Sequence, residues 1–396
     1  MMEARDDIAL PLHHWAETEL RRLACATGSA AIEALDGATL LGERAALNGL
    51  RIPGTVSAGG GCRLVTALDG WIAFNLARPD DRELLPALFG DGTLDPNDDG
   101  AIERAVAERR RSELLPLGRE LGLAMAALDE SRPGPAALVM TDGRPRATPL
   151  PASPLVIDLS ALWAGPLAGH LLGLAGATVV KVESPRRPDA MRDGDPGLFA
   201  RLNQGKANVA IDLHGRGGRA ALLGLIDRAD IVIEAARPRA LAQLGIDAER
   251  IVGQRQGLVW LTITAHGVAG DAANWVGFGD DAGVAGGLSA ALLAASGRIG
   301  FVGDAIADPL TGIAAARIGW ERWASGTGAR IALSMRDVVA EALRSERARD
   351  ADALDANLRQ WAAAAGRPFP VPRMRATGPV QPLGADTGAW LGSAPC

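Results

Sequence analysis

Runs of aliphatic and β-branched residues alternate with helical patterns over residues 155–345. The first unit has an apolar run at 155–159, a break at Ala164-Gly165-Pro166, a helical pattern at 167–175 and a second apolar run at 178–182. Strand, turn, helix and strand within about 30 residues predict a right-handed parallel crossover. Because the alternation continues, we expect an α/β fold, with a Rossmann-like parallel sheet that has helices on both faces.

The same patterns predict the other elements of this large domain. They indicate strands at 209–213, 231–234, 258–264 and 330–335, and helices at 218–228, 238–244, 248–253 and 336–347. A Gly-rich stretch at 265–287 is expected to be a loop in which a ligand can approach the backbone closely. The N–H groups at the start of the first helix favour an anion above the strand ends.

A smaller unit precedes the large domain. Strand patterns at 63–67 and 71–76, separated by an Asp69-Gly70 turn, predict a β-hairpin. Helical patterns at 80–88 and 102–128 complete a small α+β module. The expected fold is therefore α/β, with this smaller α+β domain placed N-terminally.

The density of proline sets the predicted domain boundaries. Prolines crowd residues 132–154, where they exclude a long helix and indicate a linker or a loose hairpin. The predicted divisions are a small module at 1–131, a linker at 132–154, the large domain at 155–345, and a C-terminal helix with a Pro-rich tail that returns to the large domain at 346–396.

Composition excludes several classes of function. The net charge of −6 provides no basic surface for nucleic acid. No apolar run approaches the length of a membrane span, and the N-terminus lacks the apolar segment of a signal peptide. Three cysteines without a C-x-x-C pair (Cys25, Cys62, Cys396) suggest neither a disulfide framework nor a zinc site. We expect a cytoplasmic protein with no metal.

The first turn of the helix predicted after residue 164 indicates which kind of anion could bind above the strand ends. The turn reads A-G-P-L-A-G rather than G-x-G-x-x-G, although Glu183 ends the next strand as a ribose-binding acid would. Pro166 lacks the N–H that would contact a pyrophosphate, which disfavours a nicotinamide dinucleotide. Only two of the 41 basic residues, Lys181 and Lys206, are lysines, and both lie in this region. We interpret Lys181 and Glu183 as strand-end structure.

Several segments, in order, resemble family III CoA-transferases, the group that includes formyl-CoA transferase, carnitine CoA-transferase and α-methylacyl-CoA racemase. These segments are DLSALWAGPLAGHLLGLAGATVVKVESP, LNQGKANVAIDLHGRGGRAALLGLIDRADIVIEAARPRALAQLGID, ADPLTGIAAA and GTGARIALSMRD. The resemblance covers roughly residues 155 to 340 and a PLGADT tail. The N-terminal hairpin resembles the family's small domain, which in the family follows the catalytic aspartate, so the domain order here is unusual.

The resemblance implies an enzyme that moves CoA from an acyl-CoA thioester to a carboxylic acid through a covalent aspartyl intermediate. The family's nucleophile starts a D-x-x-x-G segment and maps to Asp308, with Gly312 closing the motif. A carboxylate at a helix start is expected to be held ionised and ready as a nucleophile. Asp308 as a plain helix cap, and Asp304 as the nucleophile, are the competing interpretations.

The resemblance also implies the binding groups. Coenzyme A enters as the acyl-CoA substrate, and a homodimer, possibly interlocked, is expected. The predicted CoA-binding residues are Ala164, Gly165, Arg186, Arg187, Arg192 and Lys206. The predicted glycine loop that would stabilise oxyanions contains Gly279, Gly283, Gly286 and Gly287.

Two other functions stay open. The family's racemases pair an aspartate with a histidine in a G-H-D segment, and the aligned residues Gly277-Phe278-Gly279 contain no histidine. A racemase-type isomerase would need a differently placed base such as His266. A non-catalytic CoA-binding homologue is the other alternative. Trp163, Trp275 and Phe278 are either acyl-pocket or core residues.

Overall fold

The computed structural model describes residues 8–128, 130, 134–215, 217–236, 238–370 and 373–392. Predictions that concern residues 1–7, 131–133 or Cys396 lie outside the described residues. The strands are β1 (Cys62–Ala67), β2 (Gly70–Asn75), β3 (Ala124–Ala127), β4 (Ala137–Pro145), β5 (Leu155–Asp158), β6 (Thr178–Glu183), β7 (Ala207–Ala210), β8 (Ile231–Glu234), β9 (Val259–Thr264) and β10 (Thr327–Ser334).

The helices lie before, between and after these strands. In chain order they are α1 (His13–Thr27), α2 (Ala30–Glu33), α3 (Gly37–Leu47), α4 (Leu85–Phe89), α5 (Asp99–Ala107), α6 (Arg111–Glu120), α7 (Ala164–Leu174), α8 (Met191–Gly194), α9 (Pro196–Asn203), α10 (Gly218–Arg228), α11 (Pro238–Gln243), α12 (Ala248–Gln254), α13 (Gly279–Ala285), α14 (Leu288–Ser296), α15 (Ala307–Ala324), α16 (Met335–Arg349), α17 (Ala351–Ala363) and α18 (Thr387–Leu391). Pro79–Leu84 and Gly270–Asn274 form 3₁₀ turns.

The large sheet has seven strands in the order β4-β10-β9-β8-β5-β6-β7. Its strand pairs are parallel except for β4 against β10. The chain runs from β5 outward to β6 and β7, then returns to β8 on the other side of β5. The order therefore reverses between β5 and β8, and in open α/β sheets ligands bind outside the carboxyl ends of strands at this switch point.

Side chains of the large sheet alternate between two apolar layers. Along β5, Val156 packs with the layer that contains α7 and α15, whereas Ile157 packs with α10 and α12 on the other face. In β8, Ile233 and Val232 divide in the same way, as the two-residue period of a strand requires. The predicted α/β class, with a parallel-rich sheet between helices and a smaller sheet placed N-terminally, is confirmed.

The N-terminal helices pack against the large sheet's helices. Leu20 and Leu23 of α1 share a core with Leu310 and Ile313 of α15, and Trp320 donates its indole N–H to the Ala26 carbonyl at 3.2 Å. The small antiparallel sheet β1-β2-β3 has a separate core with α4, α5 and α6. The boundary predicted at residue 131 stays a prediction. Within the predicted module of residues 1–131, α1 and α3 contribute to the core of the large sheet.

Two strands, β3 and β4, lie where the sequence pattern predicted a helix and a linker. The long helix expected at 102–128 is two helices followed by β3, because Ala124–Ala127 pairs with the hairpin strand β2. Within the predicted linker, Ala137–Pro145 forms β4, the antiparallel edge strand beside β10. An edge position accommodates Pro145, which has no N–H to donate to a neighbouring strand.

The C-terminal tail lies on the opposite edge of the large sheet. The Asn208 N–H of β7 donates to the Asp386 carboxylate at 2.8 Å, and the Ala210 N–H donates to the Thr387 hydroxyl at 3.0 Å. The Asp386 N–H in turn donates to the Asn208 carbonyl. Among the described residues, no helix combines the length and apolar character needed to cross a membrane.

Candidate active site

The A-G-P turn forms the first turn of α7, directly beyond the carboxyl end of β5. Ala164 is the first helical residue, and Pro166 fits there because the first helical N–H groups have no intrahelical acceptor. A Cβ at Gly165 would overlap the Ser160 side chain, so glycine allows the loop to approach the helix. The first turn of α7 is thereby fixed at the switch point of the sheet.

Asp308 lies against this turn. It is the second residue of α15 and half-buried, and one turn further along α15 a Cβ at Gly312 would lie 2.7 Å from the Ala164 carbonyl. The helix cap is Ile306, so Asp308 does not serve as the cap residue. Gly279, the first residue of α13, is so close that a Cβ would overlap the Asp308 carboxylate and the Ala305 carbonyl. Three separate segments therefore meet at this carboxylate.

The backbone is strained on both sides of this junction. Three described residues other than glycine have positive φ, and two of them are Leu162 (φ 68°), just before α7, and Ala305 (φ 43°), just before α15. Non-glycine residues rarely adopt this conformation, and such residues concentrate at functional sites. The strain supports a functional role for the junction of Ala164 and Asp308.

The pKa of Asp308 is raised to about 7. Burial is the largest cause, the negative charges of Asp280 and Asp281 add to it, and Arg44 with the Ala164 N–H acts in the opposite direction. The start of a helix is expected to hold a carboxylate ionised, but the pKa shift of Asp308 has the opposite sign. Desolvation and two neighbouring carboxylates outweigh the helix terminus at this position.

Two charged residues of the candidate site, Asp280 and Arg44, were not predicted from the sequence. Asp280 is half-buried, accepts the Ala305 N–H at 3.0 Å, and has its pKa raised to about 6 by burial and by Asp304. Arg44 of α3 forms a two-pronged ion pair with the fully buried Asp304. Asp280 follows Gly279 directly, which was a usable signal. Arg44 lies 260 positions from Asp304, and no local pattern connects them.

The predicted glycine loop is a helix over most of its length. Gly279 and Gly283 lie in α13, Gly286 is its C-cap, and Gly287 precedes α14 with φ 91°. The N–H groups of Gly286 and Gly287 donate to backbone carbonyls of α13 at 2.9 Å, so they are not free for an oxyanion. Gly286 instead allows α13 to pack against Val339 of α16. The prediction of an open loop was wrong, because capped turns satisfy these donors.

The predicted arginines lie beyond the carboxyl end of β6. Arg186 and Arg187 are exposed, and Arg186 pairs with Asp212 at 2.9 Å while its side chain stays 65% exposed. Arg192 pairs with Glu183 at 2.6 Å and stacks on the Phe199 ring. Arg186 and Arg187 are therefore accessible to a ligand, whereas Arg192 is engaged within the protein.

Both lysines are internal. Lys206 is buried, and its ammonium donates to Asp158 and the Pro166 carbonyl at 2.8 Å and to Asn203 at 3.1 Å. Burial lowers the pKa of Lys206 to about 8, while Asp158 acts to raise it. Lys181 is buried as well and pairs with Asp189 at 2.9 Å. With three protein acceptors, the Lys206 ammonium has no donor left for a phosphate.

The remaining candidates are His266 and two tryptophans. His266 is fully buried, with its Nε2 3.4 Å from the Asp281 carboxylate, and the same carboxylate accepts the Asn75 amide of β2 at 3.0 Å. Arg119 lies over the Trp275 ring at 3.8 Å. Trp163 is buried, with the Arg44 guanidinium 5.1 Å from its ring centre. Within the described ranges, no cluster of His, Cys, Asp and Glu could hold a metal ion.

Comparison with known proteins finds a family model that matches the part of the chain containing most of the large sheet. Residues 154–350 match the sequence model of CoA-transferase family III. The probable fatty acyl-CoA transferase Rv3272 of Mycobacterium tuberculosis is 36% identical over 129 residues, covering 30% of this chain and 33% of the relative. The succinate–glutarate CoA-transferase of Agrobacterium fabrum is 31% identical over 226 residues, covering 52% and 56%.

The acetyl-CoA:oxalate CoA-transferase of Acetobacter aceti is 30% identical over 198 residues, covering 46% of this chain and 50% of the relative. A crystal structure of Rv3272 aligns with a TM-score of 0.45 and 26% identity, over 52% of this chain and 59% of that one. The chain thus spans between a third and somewhat over half of the length of these curated relatives.

Proposed function

Residues 154–350 belong to CoA-transferase family III, and we propose that this chain transfers CoA from an acyl-CoA thioester to a carboxylic acid through Asp308. The observation that carries the proposal is the position of the Asp308 carboxylate. It is half-buried at the switch point of the sheet, where Gly279 approaches it directly and α15 packs against the first turn of α7 at Gly312 and Ala164. Asp304, the competing nucleophile, is fully buried and paired with Arg44, so a substrate cannot reach it.

The first half of the reaction forms a covalent intermediate. An Asp308 carboxylate oxygen attacks the thioester carbonyl carbon, the carbon–sulfur bond breaks, and CoA leaves as a thiolate. The thiolate then attacks the aspartyl carbonyl of the mixed anhydride. This step releases the donor acid as a carboxylate and leaves CoA joined to Asp308 as a thioester.

The second half repeats these steps with the acceptor acid. Its carboxylate attacks the aspartyl thioester and displaces the thiolate, which then attacks the acceptor's carbonyl carbon in the new anhydride. The products are the new acyl-CoA and the free Asp308 carboxylate. Each bond that breaks is replaced by one of the same type, so the cycle needs neither an oxidant nor a net proton.

The electrostatics of the site suit this chemistry. A carboxylate with a pKa of about 7 is more basic than an ordinary aspartate, and therefore more nucleophilic once ionised. The attack requires the ionised form, which roughly half of the molecules hold at pH 7. We therefore expect kcat/KM to rise with pH through about 7 and to level off above it.

The exposed arginines provide a place for the phosphates of coenzyme A. Arg186 and Arg187 follow β6 at the ligand-binding edge of the sheet, and the exposed pair of Arg186 with Asp212 can be exchanged for a phosphate at little cost. Gly279 stays a predicted oxyanion donor, because the first N–H of a helix has no intrahelical acceptor. The homodimer, interlocked or not, also stays a prediction.

Trapping tests the proposal directly. The protein is incubated with an acyl-CoA, quenched with hydroxylamine or borohydride, and mapped by peptide mass spectrometry. We expect the modification on the peptide that contains Asp308, its loss in Asp308→Asn, and its retention in the matched control Asp280→Asn. Modification of a peptide without Asp308, or unchanged turnover in Asp308→Ala, would contradict the mechanism.

The same preparation separates the alternatives. An isomerase would incorporate solvent deuterium at the α-carbon of an acyl-CoA without CoA exchange, and a non-catalytic homologue would bind CoA without turnover. Burial of His266 argues against it as the second base, because a base must reach the α-proton of the substrate. Transfer is therefore the function that this geometry supports best.

A further inference from the structure

The loop that leads from β5 into α7 contains a strained residue. Leu162 has φ 68° and directly precedes Trp163, the N-cap of α7. A residue other than glycine keeps this conformation only where its surroundings impose it. The Leu162 side chain is 37% exposed, so packing of that side chain in a core does not impose it. The cause therefore lies in the contacts of the loop backbone.

A buried ion pair contacts this backbone. One carboxylate oxygen of Asp189 accepts the Leu162 N–H at 3.2 Å, and the other pairs with the Lys181 ammonium at 2.9 Å. Lys181 also donates to the Ser160 carbonyl at 2.9 Å. The pair thus holds the loop at two backbone positions, one on each side of Ala161. Neither side chain is more than 1% exposed.

Asp189 is itself fixed by the segment that follows β6. Its backbone N–H donates to Glu183 at 2.9 Å, and Glu183 pairs with Arg192 at 2.6 Å. The oxygen that accepts the Leu162 N–H also accepts the Met191 N–H at 3.1 Å. Because the carboxylate is anchored in this way, it sets the position of the loop and does not follow it.

The second lysine holds the other side of the same turn. Lys206 donates to the Pro166 carbonyl at 2.8 Å. Both lysines of the chain therefore donate to backbone carbonyls that flank the start of α7. This turn packs on α15, where a Cβ at Gly312 would lie 2.7 Å from the Ala164 carbonyl, one turn beyond Asp308. A shift of the turn would displace one wall of the candidate site.

We propose that Asp189 is a positioning residue of the active site. Together with Lys181 it holds Leu162 in its left-handed conformation, and it thereby fixes the first turn of α7 relative to Asp308. The pair acts through the backbone of the loop and touches no substrate. The inference rests on the proposed function in taking Asp308 as the nucleophile.

Two double variants test this role, and neither leaves a buried charge unpaired. Lys181→Met with Asp189→Leu removes both the ion pair and the acceptor of the Leu162 N–H. The matched control, Lys181→Met with Asp189→Asn, removes the charges but keeps an acceptor oxygen. Amide hydrogen exchange is measured at Leu167, whose N–H donates to the Trp163 carbonyl at 2.9 Å. We expect exchange there to be about tenfold faster in the leucine variant than in the asparagine variant.

A glycine at position 162 separates this role from a merely structural one. Glycine adopts positive φ without strain, so Leu162→Gly no longer needs the pair to hold its conformation. Added to the leucine double variant, it should bring Leu167 exchange to within about threefold of that in Leu162→Gly alone. A pair that only stabilises the segment after β6 would show no such recovery. Equal exchange in the two double variants, or no recovery with glycine, would overturn the inference.

Turnover gives the second measurement. With an acyl-CoA and an acceptor acid, kcat should be about tenfold lower in the leucine double variant than in the asparagine one, because the turn beside the nucleophile is displaced. Equal kcat despite faster exchange would overturn the role of Asp189 in the active site. Because exchange is measured without acyl-CoA, failure of the trapping experiment would count against the transferase and not against the hold on Leu162.

Discussion

Lys206 offers the sharpest test of a structural role against a ligand-binding one. Its side chain is 3% exposed and that of Asp158 is fully buried, so Lys206→Met leaves a carboxylate unpaired inside the protein. Asp158 keeps hydrogen bonds from the Ser160 N–H and hydroxyl, but loses its ammonium partner. Removing one member of a buried pair costs about 3–5 kcal/mol, and we expect a loss of unfolding free energy in that range.

Urea unfolding, followed by circular dichroism, measures this loss. The double variant Lys206→Met with Asp158→Asn should recover most of it, because no buried charge remains. Calorimetric titration of Lys206→Met with CoA measures whether Lys206 contributes to CoA affinity. Arg186→Met is the matched control variant. Wild-type stability in Lys206→Met, together with a tenfold loss of CoA affinity, would refute the structural role and support the phosphate contact predicted from the sequence.

Four further outcomes follow from the site. Asp280→Asn removes a charge that raises the Asp308 pKa, so the acidic limb of the kcat/KM–pH profile should move down by roughly half a unit. Gly279→Ala should lower kcat at least about tenfold with the fold retained by circular dichroism, since its Cβ displaces the nucleophile. Arg186→Ala should raise KM for acyl-CoA about tenfold with kcat unchanged. The folded protein binds the Asp308 proton more tightly than the unfolded chain, so wild-type stability falls between pH 4 and 7. Asp308→Asn should therefore gain roughly 4 kcal/mol over wild type at pH 8 relative to pH 4, by urea unfolding.

The parts of the fold that local pattern determines were predictable. The β5–α7–β6 unit, α10 and β8 agree with the sequence pattern within a few residues, because strand and helix periods there coincide with burial on both faces of one sheet. The strand β3 was not predictable in this way. Its Ala-Met-Ala-Ala run favours a helix by propensity, and only pairing with β2 makes it extended.

The residues of the candidate site also fall into those that a local motif predicts and those that only tertiary packing brings together. Asp308 was located through a local motif, and its neighbour Ala164 through another. Arg44 and Lys206 meet their partners only through tertiary packing, since Arg44 lies 260 positions before Asp304 and Asp158 lies 48 positions before Lys206. The sign of the Asp308 pKa shift depends on these distant groups and on burial, so a helix-start argument from local sequence could not supply it.

The C-terminal tail also governs how the large sheet meets other chains. Unpaired N–H groups along an edge strand invite another extended segment to add to a sheet. On β7 the N–H groups of Asn208 and Ala210 instead bind the side chains of Asp386 and Thr387, which extend no ladder of their own. The tail thereby covers this edge, so the two N–H groups of β7 are not offered to an extended segment of another chain.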